Sequence, residues 1–260
     1  MIGLALEGGG SRGAYHIGVM KAYTEAGYDF AGFTGTSIGA INAAAFAQGD
    51  FILAEEMWSN ITTDRLFDDD ACRLLKIAES RLDIHVLSEA RNSLRRIIDD
   101  HGIDTSKIRG IINGFISEQR IRASGKDYGL VTVSVSERRP YELFLEEIKQ
   151  GELLTYIAAS ACVPGFQPVV IGKNTFVDGA IYDSCPINML VKKGYKEVIA
   201  VRTKAPGVFR KITPPKGVKI RIVVPKHDMG NIMVFSPEKI KENIRQGYFD
   251  GLESLHGTSR

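Results

Sequence analysis

Ser37 is the residue whose neighbours most clearly indicate covalent chemistry. It stands at the centre of a Gly-x-Ser-x-Gly sequence that follows an apolar run and precedes an alanine-rich one, formed by Gly35, Thr36, Ser37, Ile38 and Gly39. Between a strand and a helix, this pattern predicts a nucleophile elbow, a sharp turn that holds the serine in a strained backbone conformation. Gly35 and Gly39 would give the turn the room it needs. The alternative is a helix start at which Ser37 serves only as the cap.

A glycine-rich loop lies one predicted strand and helix earlier, in the sequence EGGGSRGAYHIGV. Its residues are Gly8, Gly9, Gly10, Ser11, Arg12 and Gly13. Glycine tolerates positive φ and leaves backbone N–H groups uncovered, so the loop predicts a binding site for negative charge at the start of a helix. That charge belongs either to the pyrophosphate of a nucleotide, because the loop also matches the Gly-x-Gly-x-x-Gly fingerprint, or to the oxyanion of an acyl transfer.

The second predicted strand favours acyl transfer over nucleotide binding. A dinucleotide-binding fold places an acidic residue at the tip of that strand for the ribose, whereas this strand ends in FTGTSIG. Glu25 and Asp29 belong to the preceding helix end and turn. If the first two strands are adjacent and parallel, the loop and Ser37 emerge at the same edge of the sheet. The loop would then form an oxyanion hole for a carbonyl group attacked by Ser37.

A serine hydroxyl needs a group that accepts its proton, and the residues leave two kinds of base open. The order Ser-Asp-His requires His227 or His256, which lie in a polar turn and near the end of the chain. Asp178 ends the predicted strand NTFVD and precedes the small residues Gly179 and Ala180. Catalytic groups of parallel-sheet enzymes occupy such strand ends. By itself, however, Asp-Gly-Ala is a turn signal.

Three segments, EGGGSRGAYHIGV, GTSIGAINA and VDGAIYDSCPI, closely resemble in this order the patatin-like phospholipase family, especially its small bacterial members. ASACVPGFQPV and IRQGYFDGL also look like family segments. The resemblance implies a three-layer α/β/α fold and a lipid acyl hydrolase with a Ser-Asp dyad and no histidine. It makes Ser37 the nucleophile, Asp178 the general base and the loop from Gly8 to Gly13 the oxyanion hole.

Arg12 takes the family's basic position, where its charge would support the anion or bind a lipid phosphate. Ala180 stands where many members have glycine, a variation that the family allows. The resemblance implies a lipid or acyl ester as substrate, and a phospholipid, a lysophospholipid and a neutral ester all stay open. No His, Cys or Asp cluster has the spacing of metal ligands, so we expect neither a metal nor a cofactor. Two other functions stay open: a nucleotide-binding protein that uses the loop from Gly8 to Gly13, and a non-catalytic lipid-binding protein on the same fold.

The length, composition and charge of the chain indicate its domain organisation and broad class. The 260 residues, 44% hydrophobic and 25% charged, are ordinary for a soluble globular protein, and no linker divides them, so we expect one domain over residues 1–260. A net charge of +2 is too mild for a nucleic-acid-binding protein. Three widely spaced cysteines without a CxxC pattern, and a chain start without signal-peptide character, predict a cytoplasmic protein. The oligomeric state is not indicated.

Alternating strands and helices favour a central, largely parallel sheet covered on both faces. Residues 51–124 are predicted to be mostly helical, and this insert after the second strand-helix unit would serve as a lid or cap. The stretch 198–227 holds eight Lys and Arg residues but no Asp or Glu. It would suit transient contact with an anionic membrane surface, although a solvated edge of the sheet is the favoured interpretation.

Overall fold

One mixed sheet forms the centre of the fold. A computed structural model describes residues 1–79, 93–95, 97 and 99–256. In these ranges the sheet has eight strands: β1 (Ile2–Leu6), β2 (Gly32–Thr36), β3 (Asp127–Ser134), β4 (Arg139–Phe144), β5 (Val169–Ile171), β6 (Asn174–Asp178), β7 (Glu197–Val201) and β8 (Lys219–Val223). Their order is β5-β6-β3-β2-β1-β7-β8, and β4 pairs with β3 outside this path. The run β3-β2-β1-β7-β8 is parallel, so the predicted largely parallel sheet is confirmed.

Helices follow most of the strands. Those with described bounds are α1 (Ala14–Glu25), α2 (Ile38–Ala47), α3 (Phe51–Asn60), α4 (Thr63–Leu66), α5 (Asp69–Glu79), α6 (Ser106–Phe115), α7 (Glu118–Ala123), α8 (Leu153–Ser160), α9 (Ile187–Lys193) and α10 (Pro237–His256). Single turns of 3₁₀ helix lie at Gly10–Gly13, Leu145–Glu147 and Gly179–Ile181. The loop predicted to bind negative charge therefore leads through a 3₁₀ turn into α1.

Side chains alternate along the central strands, so the sheet carries an apolar layer on each face. On β1, Leu4 and Leu6 belong to the larger core, which also contains residues of α1, α2 and α10, whereas Ala5 belongs to a smaller cluster with residues of α9. On β7, Ile199 and Val201 likewise face the larger core and their neighbours the smaller one. Helices therefore cover both faces of the sheet, and the predicted three-layer α/β/α fold is confirmed.

The glycine loop and the Ser37 turn emerge at one edge of the sheet because β1 and β2 are adjacent and parallel. Leu6, at the end of β1, is paired with Gly35 of β2. Parallel neighbours end on the same side, so the loop that follows β1 lies beside the turn that follows β2. This juxtaposition was predicted from the sequence.

Asp178 reaches the same edge by a route that differs from the expected one. Its strand, β6, is antiparallel to β3, and Asp178 is paired with Thr132. Thr36, the residue before Ser37, is paired with Val131 of the same strand. The register of β3 with its two neighbours, rather than the end of a parallel strand, therefore brings Asp178 towards Ser37.

The segment 51–124 contributes helices α3 to α7 in its described part. Residues 80–92, 96 and 98 of this segment lie outside the described residues. Across the described ranges, no helix combines the length and the apolar character needed to cross a membrane.

Candidate active site

Ser37 occupies a sharp turn between β2 and α2. Its φ of 58° and ψ of −129° are unusual for a residue with a side chain. Such a conformation costs about 1–3 kcal/mol and persists only where the surroundings enforce it. A Cβ at Gly35 would overlap the backbone of Gly39, and a Cβ at Gly39 would overlap the carbonyl oxygen of Leu6. The side chain of Ser37 makes no capping hydrogen bond to α2, which disfavours the interpretation of Ser37 as a helix cap.

Asp178 is a buried carboxylate, only 1% exposed. Oδ1 accepts a hydrogen bond from the N–H of Ala180 at 2.7 Å, whereas Oδ2 has no hydrogen-bond partner of normal geometry. Burial raises the pKa of Asp178 to about 6, against the lowering effects of the Ser37 hydroxyl and the Ala180 N–H. The Ser37 hydroxyl is thus near enough to influence the carboxylate without forming a standard hydrogen bond to it. Catalytic contacts of this kind often tighten only when substrate binds.

Most backbone N–H groups at the start of the glycine loop are already engaged. Three of them donate to carbonyl oxygens: Gly8 to Ser184 at 2.9 Å, Ser11 to Ile232 at 2.8 Å and Arg12 to Gly9 at 3.1 Å. Gly9 and Gly10 have φ values of 137° and 54°, and their N–H groups have no hydrogen-bond partner within the described part of the chain. The loop therefore offers two unused donors, and both glycines border the same cavity as Ser37 and Asp178.

That cavity is predominantly apolar. It contains about 870 Å³ of space not filled by protein atoms, part of which is open to solvent. Its walls come from α2, from the segment 51–124, from the residues between α8 and β5 and from those before α10. They include Ile41, Met57, Phe67, Ile108, Phe166 and Phe235. An apolar pocket with a few convergent polar groups is the usual form of a small-molecule site.

Ser160, which was not predicted as a site residue, links the serine turn to the aspartate. Its hydroxyl accepts a hydrogen bond from the N–H of Ser37 at 3.0 Å and donates one to the carbonyl oxygen of Val131 at 2.7 Å. Gly179 packs on the same carbonyl group, since a Cβ there would overlap the Val131 oxygen. One carbonyl of β3 therefore supports both motifs. The only signal for Ser160 in the sequence is the segment ASACVPGFQPV.

A second buried network supports the far end of the glycine loop. Asn42 donates from Nδ2 to the carbonyl oxygen of Gly13 at 2.9 Å and lies 3.1 Å from Nδ1 of His16, while its Oδ1 accepts from Nε1 of Trp58 at 2.9 Å. Burial lowers the pKa of His16 to about 3, so its ring is neutral near pH 7, and Nδ1 is the acceptor because the Asn42 amide group can only donate. Asn42 lies inside GTSIGAINA but was not singled out.

The guanidinium of Arg12 binds protein carbonyl groups. Nε donates to Gly230 at 2.9 Å, and Nη1 donates to Thr203 at 3.2 Å and to Lys204 at 2.9 Å. The sequence led us to expect that its charge would support an oxyanion or bind a lipid phosphate. The structure gives two of its three nitrogen atoms intramolecular partners.

The described histidines do not border the cavity. His16 is buried in α1, His101 and His227 lie in loops, and His256 ends α10. His85 lies outside the described residues. Among the described residues, the structure therefore provides no histidine base for a Ser-Asp-His arrangement.

Hydrogen bonds within the glycine loop disfavour nucleotide binding. At the helix start, where a pyrophosphate would bind, the N–H groups of Ser11 and Arg12 already donate to carbonyl oxygens.

Within residues 1–79 and 99–256, and at the few described positions between them, no three or more His, Cys, Asp or Glu side chains form a group able to hold a metal.

Many cations of the stretch 198–227 have intramolecular partners. Hydrogen bonds or ion pairs join Arg202 to Glu7, Lys204 to Pro225, Arg210 to Tyr182 and Lys226 to Glu253. This pairing agrees with the interpretation of the stretch as a solvated edge of the sheet.

The family model of the patatin-like phospholipases matches residues 4–191. The NTE family protein MT2641 of Mycobacterium tuberculosis (strain CDC 1551 / Oshkosh) is 29% identical over an alignment of 235 positions that covers 85% of this chain and 35% of that protein. Lysophospholipase NTE1 of Mycosarcoma maydis is 28% identical over 201 residues, 77% of this chain and 9% of that protein. The chain thus spans about a third or less of the length of these relatives.

The fold has a structural counterpart in VipD from Legionella pneumophila. Its crystal structure aligns with a TM-score of 0.58 and 14% identity, covering 98% of this chain and 66% of VipD. At this identity the similarity establishes the fold alone. Because the family model covers most of the chain, including all three motifs, the protein belongs to the patatin-like phospholipase family.

Proposed function

We propose that the protein is a serine hydrolase that cleaves carboxylic ester bonds of lipids, with a phospholipid or a lysophospholipid as substrate. One observation carries the proposal. Ser37, the unpartnered Oδ2 of Asp178 and the unused N–H groups of Gly9 and Gly10 belong to residues that border a single apolar cavity. Acyl transfer needs these three parts: a nucleophile, a base and donors for an oxyanion. Family membership supports a lipid as the substrate class.

In the proposed first step, Oδ2 of Asp178 accepts the hydroxyl proton of Ser37 while Oγ attacks the ester carbonyl carbon. The charge that develops on the carbonyl oxygen is stabilised by the N–H groups of Gly9 and Gly10. The intermediate then collapses, the bond to the alcohol oxygen breaks, and Asp178 returns the proton to that oxygen. Water attacks the acyl-enzyme with Asp178 again as base, which releases the fatty acid and restores Ser37.

The pKa of Asp178 suits this role. At about 6, it leaves the carboxylate ionised near pH 7 while making it a stronger base than an ordinary aspartate. Desolvation is the main cause of the shift, and the same burial keeps water from competing for Oδ2.

The apolar cavity is the proposed site of the acyl chain. Met57, Phe67 and Ile108 of the segment 51–124 contribute to its wall. We therefore propose that this segment is a lid within a single domain. Transfer of the substrate's hydrocarbon from water to this apolar surface would lower the free energy of the complex.

Labelling with a fluorophosphonate, followed by peptide mapping, tests the nucleophile. The wild type should hydrolyse a short-chain ester and carry the label on the Ser37 peptide, whereas Ser37→Ala should lose both. Ser134→Ala, which changes a buried serine that does not border the cavity, is the matched control and should still be labelled at Ser37. A label on another residue, or Ser37→Ala activity within about tenfold of the wild type, would contradict the proposal.

Two further measurements separate the alternatives. Equilibrium dialysis should detect no binding of NAD(P), because the N–H groups of Ser11 and Arg12 at the helix start already donate to carbonyl oxygens. A protein that binds lipid vesicles but neither hydrolyses esters nor reacts with the fluorophosphonate would instead be a non-catalytic lipid-binding protein.

A further inference from the structure

The segment that follows β7 is bound by two charged residues that flank the loop glycines. Glu7 is completely buried, and its Oε2 accepts hydrogen bonds from the N–H groups of Thr203 at 2.6 Å and Lys204 at 2.9 Å. Arg12 binds the carbonyl oxygens of the same two residues. The N–H and carbonyl groups of Thr203 and Lys204 are therefore all hydrogen-bonded to Glu7 or Arg12. These two side chains flank Gly8 to Gly10.

Arg12 also reaches the segment that precedes α10. Its Nε donates to Gly230, and the neighbouring Ser11 donates its hydroxyl to the carbonyl oxygen of Asn231 and its N–H to that of Ile232, each at 2.8 Å. A Cβ at Gly10 would overlap the same Ile232 oxygen. Arg12 thus bridges two segments that both pack on the loop.

Thr203 connects this arrangement to the unused donor of Gly9. Its hydroxyl donates to the carbonyl oxygen of Gly8, and a side chain on Gly9 would collide with it. The carbonyl of Gly8 and the N–H of Gly9 belong to one planar trans peptide and point in opposite directions. Fixing the Gly8 oxygen therefore fixes the direction of the Gly9 N–H.

We infer that Arg12 is a positioning residue, which holds Thr203, Lys204 and Gly230 against the loop and so sets the direction of the Gly9 N–H, rather than a ligand for the anion of the substrate. The inference rests on the proposed function, because it takes the loop as the oxyanion hole. The carbonyl partners of Arg12 all lie beyond residue 191, where the match to the family model ends. C-terminal segments therefore complete this part of the site.

Arginine and lysine separate the two roles of this position. A guanidinium presents several donors in a rigid planar fork, whereas an ammonium is a compact point charge on a flexible stem. Arg12→Lys keeps the charge that would attract an oxyanion or a phosphate, but it cannot reproduce the three hydrogen bonds to carbonyl oxygens. A positioning role therefore predicts that lysine fails, and an anion-binding role predicts that lysine largely succeeds.

The test measures kcat and KM of the wild type, Arg12→Lys and Arg12→Ala on p-nitrophenyl butyrate and on lysophosphatidylglycerol. Both variants should lower kcat on both esters by the same factor, about 10²-fold, because a misaimed donor costs that much. The KM for the neutral ester should change little. Added methylguanidinium should restore part of kcat to Arg12→Ala, and methylammonium should not.

Arg122→Ala is the matched control. Arg122 also donates to two carbonyl oxygens, those of Leu145 at 3.2 Å and Ile148 at 2.8 Å, but it does not border the cavity. We expect it to lose thermal stability with unchanged kcat. If Arg12→Ala does not fold, Arg12→Lys carries the test, because it keeps the charge and the apolar stem.

Wild-type kcat in Arg12→Lys, or a loss confined to the KM of the phosphate-bearing ester, would overturn the inference while leaving the proposed function standing. A wild type that hydrolyses neither ester and is not labelled at Ser37 would contradict the proposed function, and this inference with it.

Discussion

The backbone N–H of Ser37 donates a hydrogen bond at 3.0 Å to the hydroxyl of Ser160, a residue 123 positions away along the chain. Ser160 is completely buried and donates in turn to Val131 of β3. A turn with positive φ at a non-glycine residue needs support from outside itself. Ser160 supplies part of that support from α8, on the side of the site where Asp178 also lies.

Ser160→Ala should weaken both stability and turnover. The N–H of Ser37 would lose its partner in a buried setting, which costs about 1–3 kcal/mol in the free energy of unfolding. Release of the turn should also lower kcat about tenfold or more, because small displacements of a nucleophile are expensive. The control is Tyr128→Phe, which removes another buried hydrogen bond to α2, from Tyr128 to the Ala40 carbonyl. Urea unfolding measures the stability of both variants, and ester kinetics measure their kcat. Equal kcat values in Ser160→Ala and Tyr128→Phe would rule out a positioning role for Ser160.

Asp178→Asn should nearly abolish turnover, because asparagine keeps the shape of the side chain but cannot accept the Ser37 proton. General-base catalysis contributes about 10² to 10⁴ in rate. The five single histidine-to-alanine variants should all retain substantial activity on the same soluble ester. His16→Ala should lose the most of the five, since His16 contacts the Asn42 that holds the loop. A folded histidine variant as inactive as Asp178→Asn would restore the Ser-Asp-His alternative.

The activity should fall as the pH decreases through about 6. Below that value the carboxyl of Asp178 is protonated and no longer a base, whereas above it the carboxylate is ionised. The expected profile of kcat/KM therefore has an acidic limb with an apparent pKa near 6. Titration of a soluble ester assay in non-interacting buffers measures it. A limb near 4, the value of an ordinary aspartate, would show that Asp178 is not desolvated in the working enzyme.

The raised pKa of Asp178 also predicts how the free energy of unfolding changes with pH. The folded state holds the Asp178 proton up to about pH 6, and the unfolded chain releases it near 3.8. Between these values the native state binds more protons, so the free energy of unfolding falls as the pH rises. Asp178→Asn lacks this cost and should be more stable than the wild type by up to about 3 kcal/mol at pH 8, with little difference at pH 4. Thermal and urea unfolding at both pH values check it, and a difference independent of pH would contradict it.

Asn42→Ala should damage the glycine loop as well as the core. It removes the donor to the Gly13 carbonyl and leaves Nε1 of Trp58 without its acceptor. Each buried group left unpaired costs about 1–3 kcal/mol. Trp58→Phe is the control, because it removes the indole donor while the bond from Asn42 to Gly13 remains. Stability should fall in both variants and kcat only in Asn42→Ala, and a normal kcat in Asn42→Ala would show that Gly13 needs no such anchor.

The sequence by itself determined the local geometry around each motif. The spacing of Gly35, Ser37 and Gly39 between a strand and a helix required a sharp turn, and the structure has one. The adjacency of the first two strands followed from the rules of parallel sheets, so the glycine loop was expected beside Ser37. These features depend on neighbours within a few residues, where sterics and backbone conformation leave few choices.

Only the tertiary structure decided which groups of these motifs are available for chemistry. Asp178 lies near Ser37 because β3 pairs in register with both β2 and β6, and an antiparallel β6 was not expected. Gly9 and Gly10 keep unused N–H groups, whereas those of Gly8 and Ser11 donate to Ser184 and Ile232. The contacts of Arg12 and Ser160 join residues more than a hundred positions apart. Such contacts depend on the packing of the whole chain, so they cannot be predicted from short motifs. The motifs did identify the residues that the packing brings together.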